Sequence, residues 1–163
     1  MNSNLEKLLI IDFGSQFTQL IGRKLRELNV FSEIIPYQNL SKKTLENYNP
    51  KAVILSGGPS SVVGKKFPLP PSNLFNLDIP VLGICYGLQV MMKLLGGTVY
   101  SGTGTSEFGK SILKKTVSNS KIINDLFIKG QEQVWMSHGD HVSGLSEGFE
   151  AIASSEGAPF AIV

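Results

Sequence analysis

Cys85 is the single cysteine of this 163-residue chain, and it stands in Gly83-Ile84-Cys85-Tyr86-Gly87, with glycine two positions before it and two after. That is the form of a nucleophile elbow, in which a strand turns sharply into a helix. The glycines let the two elements approach while the nucleophile is held up in a strained turn. A helix beginning at Tyr86 points its positive end at the thiol and favours thiolate, the form that attacks carbonyl carbon. The competing reading is a buried structural thiol, but it gives no reason for a strand, a glycine-flanked turn and a helix start to coincide at one residue.

Such chemistry also needs donors for the oxyanion formed on the attacked carbonyl. The amide of Tyr86, directly after the nucleophile, is the first. Gly57-Gly58-Pro59 ends an earlier apolar run, and bare glycine backbone can approach the same spot, which makes the Gly58 amide the candidate for the second. The only histidines, His138 and His141, lie in Trp135-Met136-Ser137-His138-Gly139-Asp140-His141. Neither is a clean base for Cys85. The segment reads as a Ser-, Gly- and Asp-rich loop suited to binding the charged ends of a small ligand, and it offers too few ligands in too little context for a metal.

Three short patterns lack the context their chemistry needs. Asp12-Phe13-Gly14 imitates a kinase tripeptide, but no glycine-rich loop or catalytic loop precedes it. Gly58 to Lys66 approximates a Walker A loop, but five residues rather than four separate Gly58 from Gly64, and Lys66 stands where Ser or Thr belongs. Gly102-Thr103-Gly104 has no third glycine in register and reads as a turn.

The elements that would position Cys85 are legible as an alternation. Leu8 to Asp12, Phe31 to Ile35, Ala52 to Ser56 and Pro80 to Cys85 are short apolar runs of the kind that fill parallel strands. Between them, Ile21, Leu25 and Leu28 mark an amphipathic helix, and Ser41 caps a short helix carrying Leu45 and Tyr48 that stops at Asn49-Pro50. Tyr86 to Leu95 is a helix with Leu88, Met91, Met92 and Leu95 as its apolar stripe, stopped by Gly96-Gly97. Gly64 to Ser72 reads as a surface excursion. Beyond Thr98 come strand-like pieces at Val99 to Ser101, Lys110 to Val117, Gln133 to Ser137, Phe149 to Ser154 and Phe160 to Val163. The expected fold is α/β: a mostly parallel central sheet flanked by helices, with antiparallel strands added in the second half and ligands at the C-terminal strand ends.

Composition bounds the rest. With 42% hydrophobic and 17% charged residues the chain can bury a core, which excludes a disordered tail or linker. A net charge of +2 gives no electrostatic case for nucleic acid. No run is long and apolar enough for a membrane helix, the polar start lacks the features of a secretory signal, and one cysteine forms no internal disulfide, so a cytoplasmic location is expected.

These residues resemble the class I glutamine amidotransferases, with a flavodoxin-like arrangement, over essentially the whole chain. Ile54-Leu55-Ser56-Gly57-Gly58-Pro59 and Gly83-Ile84-Cys85-Tyr86-Gly87-Leu88-Gln89 are similar to motifs of that class. The opening from Leu9 to Ile21 and Val134 to Asp140 resemble the branch that serves the amination of xanthosine monophosphate to GMP, rather than the anthranilate or carbamoyl phosphate branches. The resemblance implies that Cys85 attacks the side-chain amide of L-glutamine, with the oxyanion held at Gly58 and Tyr86. Ammonia then leaves from a glutamyl thioester that water hydrolyses to glutamate. It assigns the amino-acid end of glutamine to Gln89, Ser137 and Asp140, with His138 nearby. No cofactor or metal is implied for the glutaminase domain. ATP and Mg2+ are implied for a separate ATP pyrophosphatase (synthetase) domain or subunit, in a parent enzyme expected to be a homodimer. The family completes its triad with a His-Pro-Glu motif, and none occurs in these 163 residues. The chain is therefore expected to be a single amidotransferase domain, incomplete at its C-terminus, with an apolar flank uncovered and little activity of its own. A non-catalytic module that senses glutamine or docks a synthetase is the alternative, and a cysteine hydrolase of another kind is a third reading.

Overall fold

The computed structural model describes residues 6–102, 106–117, 123, 125–127 and 129–163. By contact the chain divides into two compact units, one of residues up to Ser60 with Lys66–Val90, the other of Ser61–Lys65 with Met91–Val163. Part of the excursion after Pro59 thus groups with the second unit.

The first unit is built on a parallel sheet of β1 (Leu8–Asp12), β2 (Ser32–Pro36), β3 (Ala52–Leu55) and β4 (Val81–Gly83), in the order β2-β1-β3-β4. The two central strands carry the core: Leu9, Ile10, Ile11, Val53, Ile54 and Leu55 are all buried. The outer strands are less covered, and Leu82 of β4 is 51% exposed. Among these four strands the apolar runs thus coincide with full burial only in the central pair.

Helix α1 (Thr18–Glu27) packs through Thr18 and Gly22. A Cβ added at Gly22 would lie 3.1 Å from Cδ1 of Ile34, so helix and sheet meet closely at this glycine. Leu28, expected on the apolar face, falls just past the helix end and is 71% exposed. Helix α2 (Lys42–Tyr48) is capped as its sequence suggests: Thr44 N donates to Ser41 Oγ at 3.1 Å, and the chain leaves through Asn49 in a left-handed conformation before Pro50.

Helix α3 (Tyr86–Leu95) begins in the first unit and ends in the second. It buries Tyr86, Gln89, Val90, Met91 and Met92, whereas Leu94 and Leu95 are exposed, which corrects the expected stripe by moving it toward the N-terminal turns. Its end is a glycine cap: Gly96 has φ +96°, and Gly97 N donates to the carbonyl of Met92.

In the second unit β5 (Thr98–Ser101) pairs antiparallel with β8 (Asp140–Gly144), and β6 (Glu107–Lys115) lies between β7 (Gln131–His138) and β9 (Ala153–Ser154). The antiparallel strands are not added to the parallel sheet; among the described residues they pair with one another in two sheets of their own. Asp140 and His141 fall in the segment read as loop, and no strand is expected over Asp140–Gly144; the partner of β8 explains the difference. The polar composition of Asp140–Gly144 is overridden by pairing with Thr98–Ser101. Phe160 to Val163 contributes only a bridge between Ala153 and Ile162. Leu113, Ile123, Phe127, Ile152 and Ala153 form the core here, with Val134 and Met136 packed against it.

Candidate active site

Parallel pairing in register places the C-terminal ends of β1, β3 and β4 side by side, since Ile11 is level with Leu55 and Leu55 with Gly83. Each strand is followed at that end by a segment the sequence singled out: Asp12-Phe13-Gly14, Ser56-Gly57-Gly58 and Ile84-Cys85.

Ile84 still belongs to the sheet in its hydrogen bonding, donating to the carbonyl of Leu55 at 2.9 Å. One residue later the backbone reverses, and Cys85 has φ +50°. Left-handed backbone costs a residue with a Cβ about 1–2 kcal/mol, so surrounding contacts must hold it there. They are backbone contacts. A Cβ at Gly83 would lie 2.7 Å from Cα and N of Leu88, and one at Gly87 would lie 2.2 Å from the carbonyl oxygen of Leu55. No side chain fits at either glycine, which is the physical content of the Gly-x-Cys-x-Gly spacing. The Cys85 residue is exposed and outside any disulfide, and it stands immediately before the first residue of α3. The Tyr86 amide is among the first four N–H groups of that helix, which have no intrahelical partner.

The Tyr86 side chain anchors the turn from below. Its ring packs at 5.1 Å against Phe13, which stacks on Tyr37 at 5.6 Å, and its hydroxyl donates to the carbonyl of Pro68 at 2.5 Å. Burial, with the neighbouring Tyr37, pushes the Tyr86 phenol up to about 12, so it stays a neutral hydrogen-bond donor through the physiological range.

Gly57 and Gly58 serve different contacts. A Cβ at Gly57 would stand 3.6 Å from Cβ of Cys85 and 3.4 Å from Oγ of Ser15, which puts this residue beside the nucleophile. At Gly58 a Cβ would lie 2.6 Å from the carbonyl oxygen of Phe13, so Gly58 is where the loops after β1 and β3 touch. These loops are also tied by side chains. Phe13 N donates to Ser56 Oγ at 2.9 Å, and Asp12 Oδ1 accepts from Gly14 N at 2.9 Å and from Thr18 Oγ1 at 2.8 Å. Gln89 is buried one helical turn beyond Cys85, its amide donating to the Cys85 carbonyl at 3.1 Å.

Ser137, His138 and Asp140 lie in the second unit. Strand alternation puts Ser137 and His138 on opposite faces of β7. Ser137 is exposed beside Trp135, while the His138 side chain is 9% exposed and shares the inner face with Val134 and Met136. Directly across the ladder from His138 is Glu107, whose Oε2 is 3.1 Å from His138 Nε2. Burial pushes the Glu107 carboxyl up. Hydrogen bonds from Ser155, Ser111 and His138 and from the Gly157 backbone outweigh it and hold the group below its ordinary value. His138 Nδ1 is buried with no hydrogen-bond partner among the described residues. Asp140 opens β8 and accepts a hydrogen bond from Ser61 Oγ.

Sequence reasoning missed Ser15, Ser56, Ser61 and Glu107. Ser56 carried a signal, standing directly before the glycine pair. Glu107 carried none, since only the pairing of β6 with β7 brings it to His138.

Residues 9–163 match the family model for glutamine amidotransferase class-I. GMP synthase [glutamine-hydrolyzing] of Cereibacter sphaeroides is 57% identical over 157 residues, and that of Dinoroseobacter shibae 56%; each match covers 96% of this chain. The chain spans 30% of the length of these curated relatives. Among solved structures, a glutamine amidotransferase from Thermotoga maritima superposes with a TM-score of 0.70 at 23% identity, over 94% of this chain and 69% of that one, a likeness of fold. With a glycine-flanked, left-handed Cys85 at a strand-to-helix turn and a family match running from the first strand to the last residue, this chain belongs to the class I glutamine amidotransferases.

Proposed function

We propose that the chain is the glutaminase part of a GMP synthase. The observation that carries this reading is Cys85 at φ +50° between two glycines that admit no side chain, at the start of a helix. The likeness to glutamine-hydrolysing GMP synthases supplies the substrate.

The Cys85 thiolate attacks the γ-amide carbon of L-glutamine. The carbonyl electron pair moves onto oxygen, and the amides of Tyr86 and Gly58 are the donors assigned to that oxyanion. Collapse expels the amide nitrogen, which takes a proton and leaves as ammonia, and water then hydrolyses the γ-glutamyl thioester to glutamate and frees the thiol. The family carries the proton on the histidine of its His-Pro-Glu motif. Gln89, Ser137 and Asp140 are the residues the family resemblance assigns to the amino-acid end of glutamine, with His138 nearby.

Ammonia is consumed by an ATP pyrophosphatase domain or subunit, which aminates xanthosine monophosphate to GMP with ATP and Mg2+. The glutaminase itself needs neither cofactor nor metal. A homodimeric parent and a cytoplasmic location complete the reading; among the described residues no helix is long and apolar enough to cross a membrane.

The test is mass spectrometry after treatment with a diazo-ketone analogue of glutamine. Labelling confined to Cys85, absent in Cys85→Ala and blocked by free glutamine, is the expected result. Labelling that glutamine does not block would overturn glutamine as the substrate.

A further inference from the structure

Ser56 ends the run that leads into Gly57-Gly58, and it is fully buried. Its hydroxyl has one proton to give and two acceptors in view: the carbonyl of Gly57 at 2.8 Å and Asp12 Oδ1 at 3.5 Å. Asp12 Oδ1 already accepts from Gly14 N and Thr18 Oγ1 at ordinary hydrogen-bond distances. The proton therefore goes to Gly57. The same oxygen accepts from Phe13 N, so the hydroxyl is held on both sides.

This contact sets the direction of an amide. The carbonyl of Gly57 and the N–H of Gly58 belong to one peptide unit, and none of the described peptide bonds is cis. In a planar trans peptide the two groups point in opposite directions. With the Gly57 carbonyl turned toward Ser56, the Gly58 N–H is turned away from it. Two consecutive glycines have no Cβ to restrict the peptide between them, so the hydrogen bond supplies the restriction that the residue types do not.

We propose that Ser56 is a positioning residue for the glutaminase reaction. Its hydroxyl fixes the Gly57–Gly58 peptide so that the Gly58 amide is presented to the oxyanion formed when Cys85 attacks. Ser56 touches neither substrate nor reacting atoms. The inference rests on the glutaminase reading and adds a residue to it.

The experiment separates tetrahedral from planar ligands on the chain as it stands. Alkylation of Cys85 by iodoacetamide, followed by mass spectrometry, is protected by two ligands in turn. Free glutamine offers a planar amide. The γ-semialdehyde of glutamate adds the thiol to its carbonyl carbon, and its oxygen takes the electron pair and a proton, so it occupies the oxyanion position. Ser56→Ala is expected to weaken protection by the aldehyde about 10-fold or more and protection by glutamine less than about 3-fold, because a misdirected donor matters only once a tetrahedral carbon places its oxygen at the oxyanion position. Ser56→Thr, which keeps the hydroxyl, is expected to recover most of the loss. Equal weakening of both ligands, or unchanged aldehyde protection in Ser56→Ala, overturns the positioning role. If Ser56→Ala loses its circular dichroism, Ser56→Cys, close in size but a poor donor, is read in the same way. Wild-type chain protected by neither ligand overturns the glutaminase reading, and the positioning role with it.

Discussion

Cys85 and His138 are both constrained residues on parts of the chain that the sequence marks for chemistry, and they are constrained by different means. At the Cys85 turn itself the restraint is backbone against backbone: Gly83 against Leu88 and Gly87 against the carbonyl of Leu55. Around His138 it is side chain against side chain, with Glu107 as the hub for Ser111, Ser155 and the imidazole. The first kind of restraint carries no ionisable group and is indifferent to pH, but it tolerates no added atom. The second absorbs small changes of shape and depends on a charge. A strained nucleophile needs the stiffer support, because left-handed backbone relaxes as soon as its neighbours give way.

The largest effect is expected where backbone restraint is broken directly. Gly87→Ala places a methyl 2.2 Å from the Leu55 carbonyl oxygen, and neither partner is the free end of a flexible side chain. The variant is expected to lose about 3 kcal/mol or more in urea denaturation, with Cys85 labelling lost in parallel. Loss of stability with labelling intact would show that the elbow does not depend on that contact.

The contrast with the second unit is sharpened by removing its hub. Glu107→Ala leaves His138 Nε2 and the hydroxyls of Ser111 and Ser155 without their acceptor in largely buried surroundings. A cost of about 2 kcal/mol is expected, against less in Glu107→Gln, which keeps an acceptor. The acid side tests the charge itself. The folded carboxyl lies below its ordinary value of 4.5, so its contribution is fully present above that value and is lost as pH falls through the folded pKa. Wild type is therefore expected to lose stability more steeply than Glu107→Gln below about pH 4.5, in denaturant titrations at stepped pH. Parallel curves would remove Glu107 from the account.

The same division decides what was legible before the fold was known. The elbow is written in residue types at fixed short spacing, because glycine is the residue that permits a close backbone approach, so Gly83, Cys85 and Gly87 declare it without tertiary information. Continuous apolar runs declared the parallel sheet, and a serine before a short helical stretch declared the Ser41 cap. Apolar periodicity misjudged Leu28 and Leu95, since a helical stripe says which residues share a face but not where the packing partner ends. It also missed β8, whose Asp-His-Val-Ser-Gly composition reads as loop until β5 supplies the edge it pairs with. Glu107 and His138 are 31 residues apart, and no local pattern joins them. Only the register of β6 on β7 does.

The smallest effect isolates strain at the nucleophile from everything around it. Cys85→Ala removes the thiol but keeps a Cβ at φ +50°, so the left-handed penalty stays. Cys85→Gly removes the penalty, about 1–2 kcal/mol, while the more flexible unfolded chain takes back about 0.4–1 kcal/mol. Cys85→Gly is therefore expected to be more stable than Cys85→Ala by roughly 0.5–1 kcal/mol in the same denaturation assay. Comparing the two variants with each other cancels the loss of sulfur, which neither has. A glycine variant no more stable than the alanine variant would mean that the elbow holds Cys85 without strain. Its geometry would then serve only to aim the thiol, and the backbone contacts at Gly83 and Gly87 would be holding a shape rather than a tension.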